Sequence, residues 1–170
     1  VQELWLPDGG QTVSGRGYEQ GGEISPGDGA GLTDVLAGLV RCNDSHVADG
    51  RPVGDPMEAA FLVLATKGGL DPATVRAEAD RVDEVPFDSA HKFMATVHRV
   101  EGELRLEVKG APDVLLARCS SASDAERAAM GAEVERMAEG GMRVIALATR
   151  LLTDAELAAG QAPHPVHVDR

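Results

Sequence analysis

The strongest constraint in the sequence is a pair of alternating runs, residues 93–100 and 103–108, separated by Glu101-Gly102. Alternation on both sides of a two-residue turn predicts an antiparallel hairpin, because successive strand side chains point to opposite faces. With Glu101-Gly102 as the turn, Val100 faces Glu103, Val97 faces Leu106, Ala95 faces Val108 and Met94 faces Lys109. Phe93, Ala95, Val97, Leu104, Leu106 and Val108 then share a face suited to a core. Lys92, Met94, Thr96, His98, Arg105, Glu107 and Lys109 share the other, which is expected to be open. Lys92 and Lys109 become diagonal neighbours at the end far from the turn. Two ammonium groups held close repel unless an anion joins them; the plainer alternative is that both lysines point into water.

The rest of the chain supplies helices around this hairpin. Strands are expected at Glu3–Leu6 and Thr12–Gly15, joined through Pro7-Asp8-Gly9-Gly10, followed by a glycine-rich loop from Gly21 to Gly31. Leu32, Val35, Leu36, Leu39 and Val40 recur at helical spacing. A second helix is signposted by Asp55 as cap, Pro56 in the first turn, Glu58 at the third position and Gly68-Gly69 at the end; its middle is apolar nearly all round, so it should be central. Asp71-Pro72 opens a polar helix expected to fade before Val85-Pro86. A short helix over 111–119, a helix from the Ser123/Glu126 capping box to about Glu139, a strand over 142–150 and a helix capped by Thr153 and Glu156 complete the order. Residues 162–170, with Pro163 and Pro165, read as an exit linker. Strands, helices, hairpin, helices and strand in that order predict a single α+β domain over 1–170, with a mainly antiparallel sheet flanked by helices.

Composition narrows the partners. The 170 residues carry 16 Lys+Arg against 28 Asp+Glu, a formal net charge of −12, which argues against nucleic acid or acidic lipid as a partner, since both are polyanions. No apolar run approaches the roughly 18–20 residues of a spanning helix, so a soluble, monomeric domain is expected. The sequence starts at Val1 and is expected to be a piece of something longer. Cys42 and Cys119 are too few for a disulfide framework and read as reduced thiols. His46, His91, His98, His164 and His167 form no close metal-ligating pair with a carboxylate, so no metal site is expected.

Candidate ligand-binding features gather beside the hairpin. Gly110 follows Lys109 at the strand end and removes a side chain that would block close approach of a ligand, unless it simply serves a strand-to-helix turn. Phe87 lies among Pro86, Asp88 and Ser89 in a chain with three Phe, one Tyr and one Trp. A core position is the default for any Phe, but an aromatic face in a polar surround is suited to stacking on a ring. Together these residues outline a pocket with a stacking ring and two cations.

Six stretches, in order, carry a resemblance: VSGRGY (13–18), RCND (41–44), GDPMEAAFLVLATKGG (54–69), VPFDSAHKFMATV (85–97), VKGAPDVLLARC (108–119) and GGMRVIALATR (140–150). The chain resembles the nucleotide-binding domain of P-type cation-transporting ATPases, in the branch of the calcium and sodium–potassium pumps. The resemblance implies an antiparallel sheet flanked by helices that holds ATP by its adenine end. Phe87 would stack on adenine and Glu58 would read its edge. Lys92 and Lys109 would line the pocket, Gly110 and Ala111 would allow close approach, and Arg143 would reach the phosphates. Glu58 has a rival role as the third-position partner of its helix cap, and Arg143 a rival role on a solvated strand face.

The nucleotide would be Mg-ATP, with Mg²⁺ bound mainly outside this domain. The partners would be the phosphorylation and actuator domains of a parent pump, and the location the cytoplasmic side of an integral membrane protein. Met57 and His91 depart from the hydroxyl and basic residues common at those places. The sequence lacks Asp-Lys-Thr-Gly, so the fragment is expected not to turn over alone. The alternative reading is a non-catalytic α+β module that binds a protein through its acidic surface, or a metal through scattered His and Cys. A heavy-metal pump branch relies on His-Pro, but His164-Pro165 falls in the terminal linker.

Overall fold

A computed structural model describes residues 1–19, 21–29, 31–48 and 51–159. The expected exit linker, with His164 and His167, lies outside the described residues. The chain divides into two compact units, one ending at Ala79 and the other beginning at Asp80.

The first unit opens with a small antiparallel sheet of β1 (Glu3–Leu6), β2 (Gly9–Val13) and β3 (Ile24–Ser25). Leu6 pairs with Gly9, so Pro7-Asp8 alone makes the turn and β2 begins three residues earlier than the sequence pattern suggested. Gly9 makes this reversal possible with a φ of 141°. The glycine-rich loop is also not wholly loop, because Ile24 and Ser25 pair with Val13 and Thr12.

Helix α1 (Leu32–Arg41) buries Leu36, Leu39 and Val40. The two-stranded ribbon of β4 (His46–Ala48) and β5 (Arg51–Val53) then leads to α2 (Pro56–Lys67). As expected, Asp55 caps α2, its Oδ1 accepting from the Met57 and Glu58 amides at 2.9 and 3.2 Å. Phe61, Leu62, Val63, Leu64 and Ala65 are all buried, as an all-round apolar helix requires. Asp71 caps α3 (Pro72–Ala77), whose Arg76 donates to the carbonyls of Val40 and Asn43 and so closes the end of α1.

In the second unit, β6 (Ala79–Asp88), β7 (Phe93–Val100), β8 (Glu103–Gly110) and β9 (Ala146–Leu152) form one sheet in that spatial order. The β7–β8 register agrees with the sequence reading at every pair, from Val100–Glu103 to Met94–Lys109. Phe93, Ala95, Val97, Leu104, Leu106 and Val108 form the core with Leu115 and Leu152. Leu115 comes from α4 (Pro112–Arg118), which packs against β8 and β9. The capping box of Ser123 and Glu126 starts α5 (Asp124–Glu139), and that of Thr153 and Glu156 starts α6 (Asp154–Ala158). The architecture is α+β with antiparallel sheets flanked by helices.

Three expectations are corrected. Residues 79–88 are a strand, not the fading end of a helix: α3 stops at Ala77 and the chain joins the edge of the sheet beside β7. The final strand begins at Ala146, not at 142, because pairing with β8 starts at Ala146–Gly110. The second face of the hairpin is not open. Met94, Thr96, His98, Glu107 and Lys109 are all buried, and Nδ1 of His98 lies 3.1 Å from Oε2 of Glu107, off the line of a hydrogen bond. Alternation shows which side chains share a face; it carries no information on whether that face is covered.

Candidate functional site

Phe87 lies one residue before the end of β6 and is 58% exposed, the most exposed large apolar side chain among the described residues. Edge strands tolerate proline because one side of the strand has no ladder partner, so Pro86 fits here, in a strand that continues through Phe87 to Asp88. The following turn is tight. The Lys92 amide donates to the Asp88 carbonyl at 2.6 Å, the Ala90 amide donates to Asp88 Oδ1 at 2.6 Å, and His91 Nδ1 lies 3.2 Å from Asp88 Oδ2. The Ala90 amide, helped by His91, holds the Asp88 carboxyl below the usual carboxylate range.

Lys92 ends this turn with a φ of 60°, a left-handed conformation uncommon outside glycine. Regular strand alternation therefore stops at Phe93, and the open face on which Lys92 and Lys109 were expected together is not what the structure shows. The exposed Lys92 Nζ stands 3.5 Å from Asp113 Oδ2 in the first turn of α4, whereas Lys109 is 3% exposed. The two ammonium groups occupy different surroundings.

Backbone contacts tie Lys92, Gly110 and Ala111 together. Gly110 pairs with Phe93, and the Ala111 amide donates to the Lys92 carbonyl at 2.9 Å. A Cβ on Gly110 would lie 2.5 Å from the Lys92 carbonyl oxygen and 2.6 Å from Phe93 Cβ. Glycine is thus required there by the neighbouring strand itself, whatever ligand approaches. Ala111 caps α4 with extended backbone and no side-chain bond. Arg143 is exposed and sits three residues before Ala146, the partner of Gly110; it lies ahead of β9 and not on a strand face.

Glu58, in the first unit, is 9% exposed. Its Oε2 accepts from the amides of Asp44 at 2.9 Å and Ser45 at 3.2 Å, while the Asn43 side chain donates to its backbone carbonyl. Besides the adenine-reading and capping roles expected of it, Glu58 has a third, fastening the turn after α1 to the start of α2.

Two neighbours were not singled out from the sequence. The register points toward Asp113: once Phe93 pairs with Gly110, Ala111 falls opposite Lys92, and Asp113 stands two residues further on. Arg118 places its guanidinium 5.5 Å from the centre of the buried Phe93 ring, which also makes a T-shaped contact with His91 at 6.3 Å between centroids. Nothing in the sequence pattern marks that stack.

A family model described as P-type ATPase, cytoplasmic domain N, matches residues 31–167, including every candidate residue above. The chain belongs to this family. Similar proteins agree. A cation-transporting ATPase of Synechocystis sp. is 34% identical over 88% of the chain, and a calcium-transporting ATPase of Bacillus subtilis is 34% identical over 96% of it. A calcium-transporting ATPase of Listeria monocytogenes is 34% identical over 71%. The chain spans only 19%, 20% and 13% of the length of these three relatives. Among the described residues, no helix is long and apolar enough to cross a membrane and no group of three or more His, Cys, Asp or Glu could hold a metal ion.

Proposed function

We propose that this domain N is the ATP-holding part of a cation pump, gripping adenine and presenting the γ-phosphate to an aspartate on a separate phosphorylation domain. The exposed face of Phe87 is the observation that carries the reading. A large apolar ring left in water at a strand edge, within the family match, is suited to a purine. We read Lys92, exposed at the end of the next turn, as a phosphate contact, and Arg143 as a second exposed cation for the same role. Lys109, Gly110 and Ala111 complete the proposed lining. Glu58 enters through the resemblance, as reader of the adenine edge. The family match runs through both units, and we read them as one nucleotide-binding domain.

The work of such a module is positioning. Holding the nucleotide lowers the entropic cost of phosphoryl transfer, while the accepting carboxylate and the Mg²⁺ that screens the phosphates belong to other domains of the pump. A base stack contributes about 1–3 kcal/mol. The net charge of −12 opposes ATP at long range. Binding by the isolated domain is accordingly expected at a Kd on the order of 0.1–10 mM, weak enough to release ADP in each cycle. The location that follows is the cytoplasmic face of a membrane pump, with phosphorylation and actuator domains as partners. Titrating ATP into the purified chain while following backbone amide resonances tests the reading. Saturable shifts centred on residues 87–92 and 109–111 are expected, and a folded chain whose spectrum ignores millimolar ATP would refute it.

A further inference from the structure

We propose that Asp113 is a positioning residue that holds the Lys92 ammonium in reserve, so that a nucleotide's phosphates must displace a carboxylate to engage it. The inference rests on the nucleotide-holding reading and adds to it a device that sets affinity.

The geometry has three parts. First, the Lys92 backbone is fixed from both sides: its amide donates to Asp88, its carbonyl accepts from Ala111, and the close approach of Gly110 leaves it no room to shift. Only the side chain can move. Second, Asp113 Oδ2 stands 3.5 Å from Lys92 Nζ, and both side chains are mostly in water, at 68% and 57% exposure. The nearer acid in sequence, Asp88, is already engaged by Ala90 and His91. Third, the pair is prearranged. Exposed ion pairs are usually weak because two long side chains must be held in one geometry. Here one partner is the short Asp113, two residues after Ala111, whose amide is bonded directly to the Lys92 carbonyl. The carboxylate is thus carried on backbone tied to the backbone of its partner.

An incoming polyphosphate competes with this carboxylate for the same ammonium and must lie near its negative charge. Adenine stacking on Phe87 involves neither. Removing the carboxylate should therefore strengthen binding of ligands that carry phosphates and leave binding of the bare nucleoside alone. The upper part of the range of exposed-pair energies corresponds to about a two- to fivefold change in Kd.

The experiment compares ATP and adenosine titrations, read by amide shifts, for the full chain and for Asp113→Asn, Asp113→Glu, Lys92→Gln and the Lys92→Gln/Asp113→Asn double variant. The expected result is an ATP Kd lowered about two- to fivefold by Asp113→Asn, unchanged by Asp113→Glu, with adenosine binding the same throughout. In the Lys92→Gln background, where only the repulsion between carboxylate and phosphate is left to remove, the gain for ATP from Asp113→Asn should be smaller. An unchanged ATP Kd in Asp113→Asn, an equal gain in the Lys92→Gln background, or a matching gain for adenosine each overturns the proposal while ATP binding itself stands. Absence of ATP binding by the unmodified chain overturns the nucleotide reading, and this inference with it.

Discussion

Phe87 and Phe93 stand six residues apart on adjacent strands, one 58% and the other 1% exposed. Phe93 opens an inner strand, pairs with Gly110, and is enclosed by the core and by Arg118. Phe87 closes the edge strand, after a proline and before a tight turn. The same side chain is structural where the sheet surrounds it and available for binding where the sheet ends. The comparison teaches that availability here is set by position in the sheet, not by residue type.

The sharpest way to break this contrast is to truncate both rings. Phe93→Ala should lower unfolding stability by about 3–5 kcal/mol, whereas Phe87→Ala should stay within about 0.5 kcal/mol of the unmodified chain; urea denaturation followed by circular dichroism measures both. Comparable losses would erase the distinction. Next, Gly110→Ala forces a methyl group against the Lys92 carbonyl and Phe93 Cβ and should cost about 1–3 kcal/mol, again by urea unfolding; a neutral result would mean the strands can part without penalty. Phe87→Ala should then weaken ATP by about 1–3 kcal/mol, tenfold or more in Kd at the centre of that range. Retained affinity, with Kd measured by calorimetry, would remove the ring from the binding surface.

The smallest effect concerns the opposite edge of the sheet, where β9 runs into α6. The Thr153 amide, Arg150 and the Thr153 hydroxyl hold the Glu156 carboxyl down at about 2, from an ordinary 4.5. Because the folded value is the depressed one, this contribution is complete above about pH 4.5 and is lost as pH falls toward 2. Glu156→Gln should flatten the slope of stability against pH in that window, as measured by thermal unfolding at successive pH values.

The two regions also differ in how far they could be read in advance. The β7–β8 hairpin was legible pair by pair, because alternation on both sides of Glu101-Gly102 leaves one register that buries the apolar set. The helix starts at Asp55, Asp71, Ser123 and Thr153 were equally plain, since each places a side-chain oxygen just before a helical stretch that carries Pro in its first turn or Glu at its third position. Strand β6 was not legible. Its sequence, ADRVDEVPFD, has no clean alternation and contains a proline, and its strand character comes from lying beside β7. The surroundings of Lys92 were lost for a related reason: a φ of 60° at a lysine has no sequence marker, and it carries the side chain out of the strand pattern toward α4. Glu58 was readable as a residue with a fixed partner but not as the fastener of residues 44–45, a contact that depends on where α1 ends. Pairing partners were thus read best within the regular ladder, as for Lys109 and Gly110, although the burial of Lys109 was not foreseen, and least well at the turn where pairing stops.

The proline before Phe87 has an effect beyond that ring. A sheet margin offers a row of amide donors on which a stray strand from another molecule can zip up, and a bare aromatic beside it would encourage such growth. With Pro86 removing one donor, and Asp80, Asp83 and Asp88 adding like charge along a strand whose Arg81 is already paired with Glu84, the margin is a poor template for fibrils. Crowded copies of this protein can keep a sticky ring in water without knitting together.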